Sequence, residues 1–319
     1  IKGVPTVPSR WIMRIEALLN GVKLTDALKS DRPWLAWARA RDVIDPKQRI
    51  RIAAPEPRPA TDLRPRRLSV TRIEAWISNP YAIFARHILN LEPLPALGTS
   101  PDQSLRGALV HEVLSKFALA YPTTLPHDLQ SSLEQIASEV LQTYTGHPRV
   151  AAFWLPRLGR FLSWFAETEP ERRNGITEVI PETSGVLILT APGGPFTLTA
   201  RADRIDDTGS SMIITDYKTG GLPSNAHVLS GRAPQLPLEA AIALGNSGFP
   251  KLNTRSVKSL RYIRASGGEP PGEERQVKAN DIADLAAQAL TGLTNLVALL
   301  DDPNTPYRAL RRPTYLYDY

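Results

Sequence analysis

The 319-residue chain carries 38 Lys and Arg against 32 Asp and Glu, a net charge of +6 and a pI near 9.6, a balance that favours polyanionic partners without naming one. It has no cysteine, which excludes disulfides, thiolate zinc sites, iron–sulfur clusters and cysteine nucleophiles. A hydrophobic content of 42% supports a sizeable core in one large domain with or without appendages, and neither a signal peptide nor an apolar run near the ~20 residues of a membrane span is read in the chain.

In chain order, Ile12, Ile15, Leu18 and Leu19 fall at helical spacing behind Ser9, a suitable N-cap. A second helix is expected over residues 24–40, with Trp34 and Trp37 buried. From Asp45 to Pro65, prolines alternate with Lys47, Arg49, Arg51, Arg58 and Arg64, the composition of a stiff, extended, basic linker. The expected division is an N-terminal helical segment with its linker, residues 1–60, followed by the main domain, residues 61–319. The start at Ile1 and the end at Tyr319 read as those of a fragment of a longer protein.

A helix starts behind Ser69 or Thr71, stops at Asn79-Pro80 and resumes over 81–89. After a loop at 93–102 come helices over 103–120, which contains His111, then 128–145 and 151–168. The last carries an aromatic stripe of Phe153, Trp154, Phe161 and Trp164, best placed in a core. Strand character begins near Ile176, and a turn at 191–195 joins residues 186–190 to 196–205. A hairpin then turns at Asp207-Thr208-Gly209-Ser210. A helix over 234–244, a strand over 256–264 with its basic residues on one face, and a helix over 280–300 complete the order. Helices, then a β-meander, then helix, strand and helix indicate an α/β fold with one central sheet.

The hairpin bears the chemistry. Asp203 and Asp216 lie on opposite arms at similar distances from the turn, so pairing brings two carboxylates together, and a divalent cation is the usual reason to tolerate that. Lys218 shares a strand face with Asp216 because side chains alternate with period two. The backbone carbonyl of Tyr217 offers a further oxygen. This set suits metal-dependent hydrolysis of a phosphodiester, with Lys218 orienting or deprotonating water or neutralising developing charge. His111 follows Gly107 by four residues, where a small residue permits close helix packing.

In the order Gly107-x-x-x-His111, Asp203, Asp216-Tyr217-Lys218-Thr219, Gln235, these residues resemble the motifs of the RecB-like branch of the PD-(D/E)xK nucleases, in particular the B subunit of AddAB-type bacterial helicase–nucleases. The resemblance covers residues 66–319, and Thr6-Val7-Pro8-Ser9-Arg10-Trp11 is similar to the segment preceding the nuclease in those subunits. It implies a restriction-endonuclease-like α/β core, a central mixed sheet flanked by helices, with His111, Asp203, Asp216 and the Tyr217 carbonyl as ligands of Mg²⁺, or Mn²⁺ in its place. It also implies Lys218 as the catalytic lysine and Gln235 as a DNA contact.

The family's Gln-x-x-x-Tyr motif has Glu239 in place of its tyrosine here. Relatives often pin the two ends of the domain with an iron–sulfur cluster, whose first cysteine is replaced by Asn79. No cluster is expected, and packing around Trp76, Tyr81 and Phe84 against the tyrosine-rich tail is expected to do that job. The implied activity is cleavage of single-stranded DNA exposed by an AddA-type partner helicase, in double-strand-break repair in the bacterial cytoplasm, associated with the nucleoid and with no membrane. A non-catalytic DNA-binding scaffold and a free-standing exonuclease remain alternatives. No Walker A pattern is present, so unwinding is assigned to another part or subunit.

Overall fold

The computed structural model describes residues 7–28, 32–43, 53–92, 94, 103–143, 148–245, 248–250, 252 and 256–309. Linker residues 44–52, nearly all of the 93–102 loop, the Phe153 side chain and the tail tyrosines Tyr315, Tyr317 and Tyr319 lie outside them. Two compact units are formed, Ile1–Ala53 and Ala54–Tyr319.

In the first unit, α1 (Arg10–Gly21) begins as expected, with the Ser9 hydroxyl accepting from Ile12 N at 3.3 Å. The second helix, α2, is shorter than expected, Trp34–Asp42. Trp34 and Trp37 are not buried: they are 55% and 51% exposed and pack edge-to-face on each other. A unit of two short helices has too little chain to close over aromatic rings.

The second unit is built on a mixed six-stranded sheet. Its strands are β1 (Arg67–Ser69), β2 (Glu178–Leu189), β3 (Phe196–Asp207), β4 (Ser211–Lys218), β5 (Ser256–Ala265) and β6 (Gly272–Gln276). β2 runs antiparallel along the full length of β3. The other edge of β3 is shared by β1, parallel, and β4, antiparallel. β4 continues parallel to β5, and β5 antiparallel to β6.

Helices cover both faces. On one face α3 (Val70–Ser78), α9 (Gln235–Leu244) and α10 (Ile282–Asp301) enclose Leu198, Ala200, Ala202, Met212, Ile214 and Leu260. On the other, α5 (Gln103–Ala120), α6 (Leu129–Gln142) and α7 (Pro148–Arg172) pack on Tyr217, Ile263 and Ala265. Between α3 and α5 lies a short helix, α4 (Pro80–Ile83), followed by a π-turn, and α8 (Asn225–Leu229) precedes α9.

Three expectations change here. The 20-residue α10 does meet the length and hydropathy of a membrane span, but Leu285, Leu293, Val297 and Leu300 join the core instead. The basic residues of β5 lie on both faces: Arg261 is buried toward Asp206 and Glu274, while Arg264, three residues on, reaches Glu273. The described part of the linker is largely exposed but is anchored at Arg64. Arg64 is buried, donating to the carbonyls of Leu300 in the last turn of α10 and of Asp302 just after it, where a cation meets the negative end of the helix dipole.

Candidate active site

The hairpin turn forms where expected. Gly209 takes a φ of 88°, which favours glycine, and its N–H donates to Asp207 Oδ1 at 2.8 Å. Pairing of Arg204 with Thr215 places Asp203 and Asp216 at the next step of the ladder. There the backbone N–H of Tyr217 donates to Asp203 Oδ2 at 2.8 Å, so Asp203 grips the strand that carries Asp216.

β3 is irregular at this point. Leu198, Ala200 and Ala202 enter the α3/α9/α10 core, but the next contributor is Ile205, so the alternation of side chains slips one step at Asp203–Arg204. Arg204 consequently reaches Glu169 of α7 at 2.9 Å. Directly across, Glu182 of β2 has a φ of 51°, a conformation that costs a non-glycine residue of order 1–3 kcal/mol and clusters at functional sites.

His111 comes in from α5. Its Nδ1 lies 3.3 Å from Asp203 Oδ1 and its Nε2 donates to the Tyr217 carbonyl at 3.0 Å. Burial disfavours the imidazolium, but the Asp203 carboxylate outweighs it and pushes His111 up to about 9. Gly107 faces Thr219, yet a Cβ there would sit 3.6 Å from the threonine hydroxyl, an ordinary contact, so close approach does not require glycine. Ligand atoms of His111, Glu182 and Asp203 lie within 4.8 Å of one another. Glu182 also pairs with Arg201 at 2.6 Å.

Asp216 is buried. Burial pushes its pKa up to about 6, against the opposing pull of Lys218. Lys218 Nζ is 3.1 Å from Asp216 Oδ2 and donates to Gln235 Oε1 at 2.8 Å. The Gln235 amide in turn donates to Asp216 Oδ1 at 2.5 Å and to Glu239 Oε1 at 3.3 Å. Burial, then the charge of Asp216, raises Glu239 well above the carboxylate range. Glu74 of α3 faces the same pair: burial raises its pKa and Lys218 lowers it.

The six residues singled out from the sequence, His111, Asp203, Asp216, Tyr217, Lys218 and Gln235, therefore meet at one end of β4. Gln235 is only 7% exposed, and both ends of its amide are engaged inside the protein. Sequence reasoning missed Glu74 and Glu182. Glu182 was within reach, because pairing the two long strands across the 191–195 turn sets it opposite Asp203. Glu74 had no signal beyond its place in the first turns of a capped helix.

Residues 67–312 match the family model of the PD-(D/E)XK nuclease superfamily, whose name spells the acid, spacer and lysine of Asp216-Tyr217-Lys218. The chain belongs to that superfamily. Among curated proteins, this PD-(D/E)XK domain is 34% identical over 198 residues to the uncharacterized protein RC0550 of Rickettsia conorii, covering 60% of this chain and 24% of the relative. It is 30% identical over 220 residues to an uncharacterized Rickettsia felis protein, covering 67% and 26%. The chain thus spans about a quarter of the length of these relatives. A crystal structure of SSO0001 is similar at 13% identity and a TM-score of 0.30, covering 72% of this chain and 75% of that one.

Proposed function

We propose that this PD-(D/E)XK domain is a Mg²⁺-dependent deoxyribonuclease that cleaves single-stranded DNA exposed by an AddA-type partner helicase, as the nuclease part of an AddB-type subunit in double-strand-break processing. The observation that carries the reading is the convergence of two carboxylates, an imidazole and a carbonyl from three elements beside one lysine.

The donor set fits a divalent cation. His111 Nε2 and the Tyr217 carbonyl are 3.0 Å apart, about the spacing of neighbouring ligands with bonds of ~2.1 Å around an octahedral ion. His111, Asp203 and Glu182, whose ligand atoms lie within 4.8 Å of one another, would hold it with Asp216 and the Tyr217 carbonyl. When bound, Mg²⁺ supplies Lewis-acid polarisation of the phosphate and a more acidic water. A ligand imidazole must be neutral, so His111 would hold the cation in its deprotonated form.

Lys218 faces two oxygen acceptors, which suits an ammonium with three N–H donors and no acceptor. Fixed in this way, it stabilises charge that develops on the phosphoryl oxygens at little reorganisation cost. Asp203 fixes the backbone of Tyr217, and Asp216, buried beside Lys218, keeps the negative charge that draws the cation in.

The test is cleavage of an end-labelled single-stranded oligonucleotide by the 319-residue chain with Mg²⁺. Asp216→Asn is expected to lower the rate at least ~100-fold while affinity for the oligonucleotide in Ca²⁺ stays within about twofold. Unchanged cleavage in Asp216→Asn overturns the reading.

A further inference from the structure

α9 is buried over Gln235–Ala243, and within Gln235-Leu236-Pro237-Leu238-Glu239-Ala240-Ala241-Ile242-Ala243-Leu244 only Gln235 and Glu239 are polar. They are four residues apart, on one helix face, and that face looks at Asp216 and Lys218. A carboxyl group in such a helix costs stability, because leaving water is repaid only by good partners. Glu239 is 1% exposed and its Oε2 has no hydrogen-bond partner among the described residues. An apolar side chain of similar volume would serve packing better, so packing does not account for a glutamate here.

Its hydrogen bond with the Gln235 amide explains more. The Gln235 amide has a donor end and an acceptor end. Lys218 requires the oxygen on its side, and Asp216 requires the NH₂ group on the other. Glu239 takes a second N–H of that same NH₂ group. A flipped amide would set its oxygen against the Asp216 carboxylate and its NH₂ against an ammonium, and would lose the N–H that Glu239 Oε1 accepts.

We propose that Glu239 is a positioning residue: it locks the orientation of the Gln235 amide, and through that amide fixes Lys218 against Asp216. The Gln-x-x-x-Glu pair of this chain then works inward, on the lysine and acid, rather than outward on DNA. The proposal rests on the reading of Asp216 and Lys218 as the acid and lysine of a nuclease.

The test compares Glu239→Met and Glu239→Gln in the full 319-residue chain, by single-turnover cleavage of a single-stranded oligonucleotide with Mg²⁺, oligonucleotide affinity in Ca²⁺ and thermal unfolding. Met removes the acceptor but keeps the volume and the helix, so the melting temperature is expected to hold or rise while the cleavage rate falls about tenfold or more, with affinity within about twofold. Gln keeps an acceptor oxygen, and its rate is expected within about threefold of the parent. An unchanged rate in Glu239→Met, or a loss of rate matched by an equal loss of affinity, overturns the proposal. Inactivity of the parent chain would instead remove the nuclease reading. The positioning claim then stands on the ¹⁵N-detected ammonium signal of Lys218, assigned with Lys218→Arg, which is expected to shift in Glu239→Met and not in Glu239→Gln. An unshifted signal in Glu239→Met overturns it, and the same signal decides the matter if the methionine variant melts early.

Discussion

Two buried carboxylates meet the loss of water in opposite ways. Asp216 has Lys218 as its cation and Asp203 as a like-charged neighbour, and burial leaves it raised to about 6. Glu169 is disfavoured by burial as well, but Arg204, helped by Arg172 and Arg173, outweighs it and brings the group down to about 2. The second site is electrically complete and the first is short of positive charge, which is the difference between a structural ion network and a place for a cation. Glu169 therefore makes a pH prediction for stability. Its folded pKa lies below the ordinary carboxylate value of about 4.5, so its contribution is fully present above that value and is lost as pH falls toward 2. Glu169→Gln, which leaves Arg204 beside a neutral partner, is expected to cost about 3 kcal/mol near neutral pH. In urea melts that deficit should shrink as pH falls below 4.5, and a deficit independent of pH would contradict the assignment.

At the scale of elements, the two ends of the main unit are joined by aromatic packing. Trp76 of α3 stacks on Phe196 at 6.1 Å and on Tyr307 at 6.4 Å, and Phe84 lies 6.3 Å from Tyr307. The Tyr307 and Ala309 N–H groups donate to the Pro57 and Pro55 carbonyls, and Arg64 lies over the Tyr307 ring. The expected role of Trp76 and Phe84 against the tail thus has a concrete partner in Tyr307, while Tyr81 reaches it only through Phe84. Trp76→Ala is expected to lower unfolding free energy by about 3–5 kcal/mol, measured by urea denaturation. A loss below 1 kcal/mol would show that this cluster does not hold the ends.

What could be read from the sequence at this scale followed local rules. Ser69 capped α3, Asp-Thr-Gly-Ser turned the hairpin, and the period of two set Lys218 beside Asp216. β1 and β6, three and five residues long, were missed because strands that short carry little pattern, and they exist by pairing with β3 and β5. Arg64 was read as part of a basic linker and Arg261 as part of one basic strand face, because burial of an arginine depends on partners far away in sequence, here the end of α10 and the Asp206–Glu274 pair. The slip in β3 that aims Asp203 and Arg204 was equally invisible, since it shows only against a completed core.

Over the whole main unit, the α/β architecture with one central sheet was legible from the order of elements, and the mixed character of the sheet and the site from the motifs that carry the family resemblance. The sheet sets β4 between β3 and β5, so its end carries Asp216, Tyr217 and Lys218 into the space between the two helical layers. α5 delivers His111 from one layer, and α9 delivers Gln235 and Glu239 from the other. The central claim is that this junction holds a divalent cation. Anomalous diffraction from crystals soaked in Mn²⁺ tests it most directly. A peak is expected within about 2.0–2.4 Å of His111 Nε2, the Tyr217 carbonyl and oxygens of Asp203 and Asp216. Manganese bound elsewhere in the chain with no peak at these four groups would contradict it.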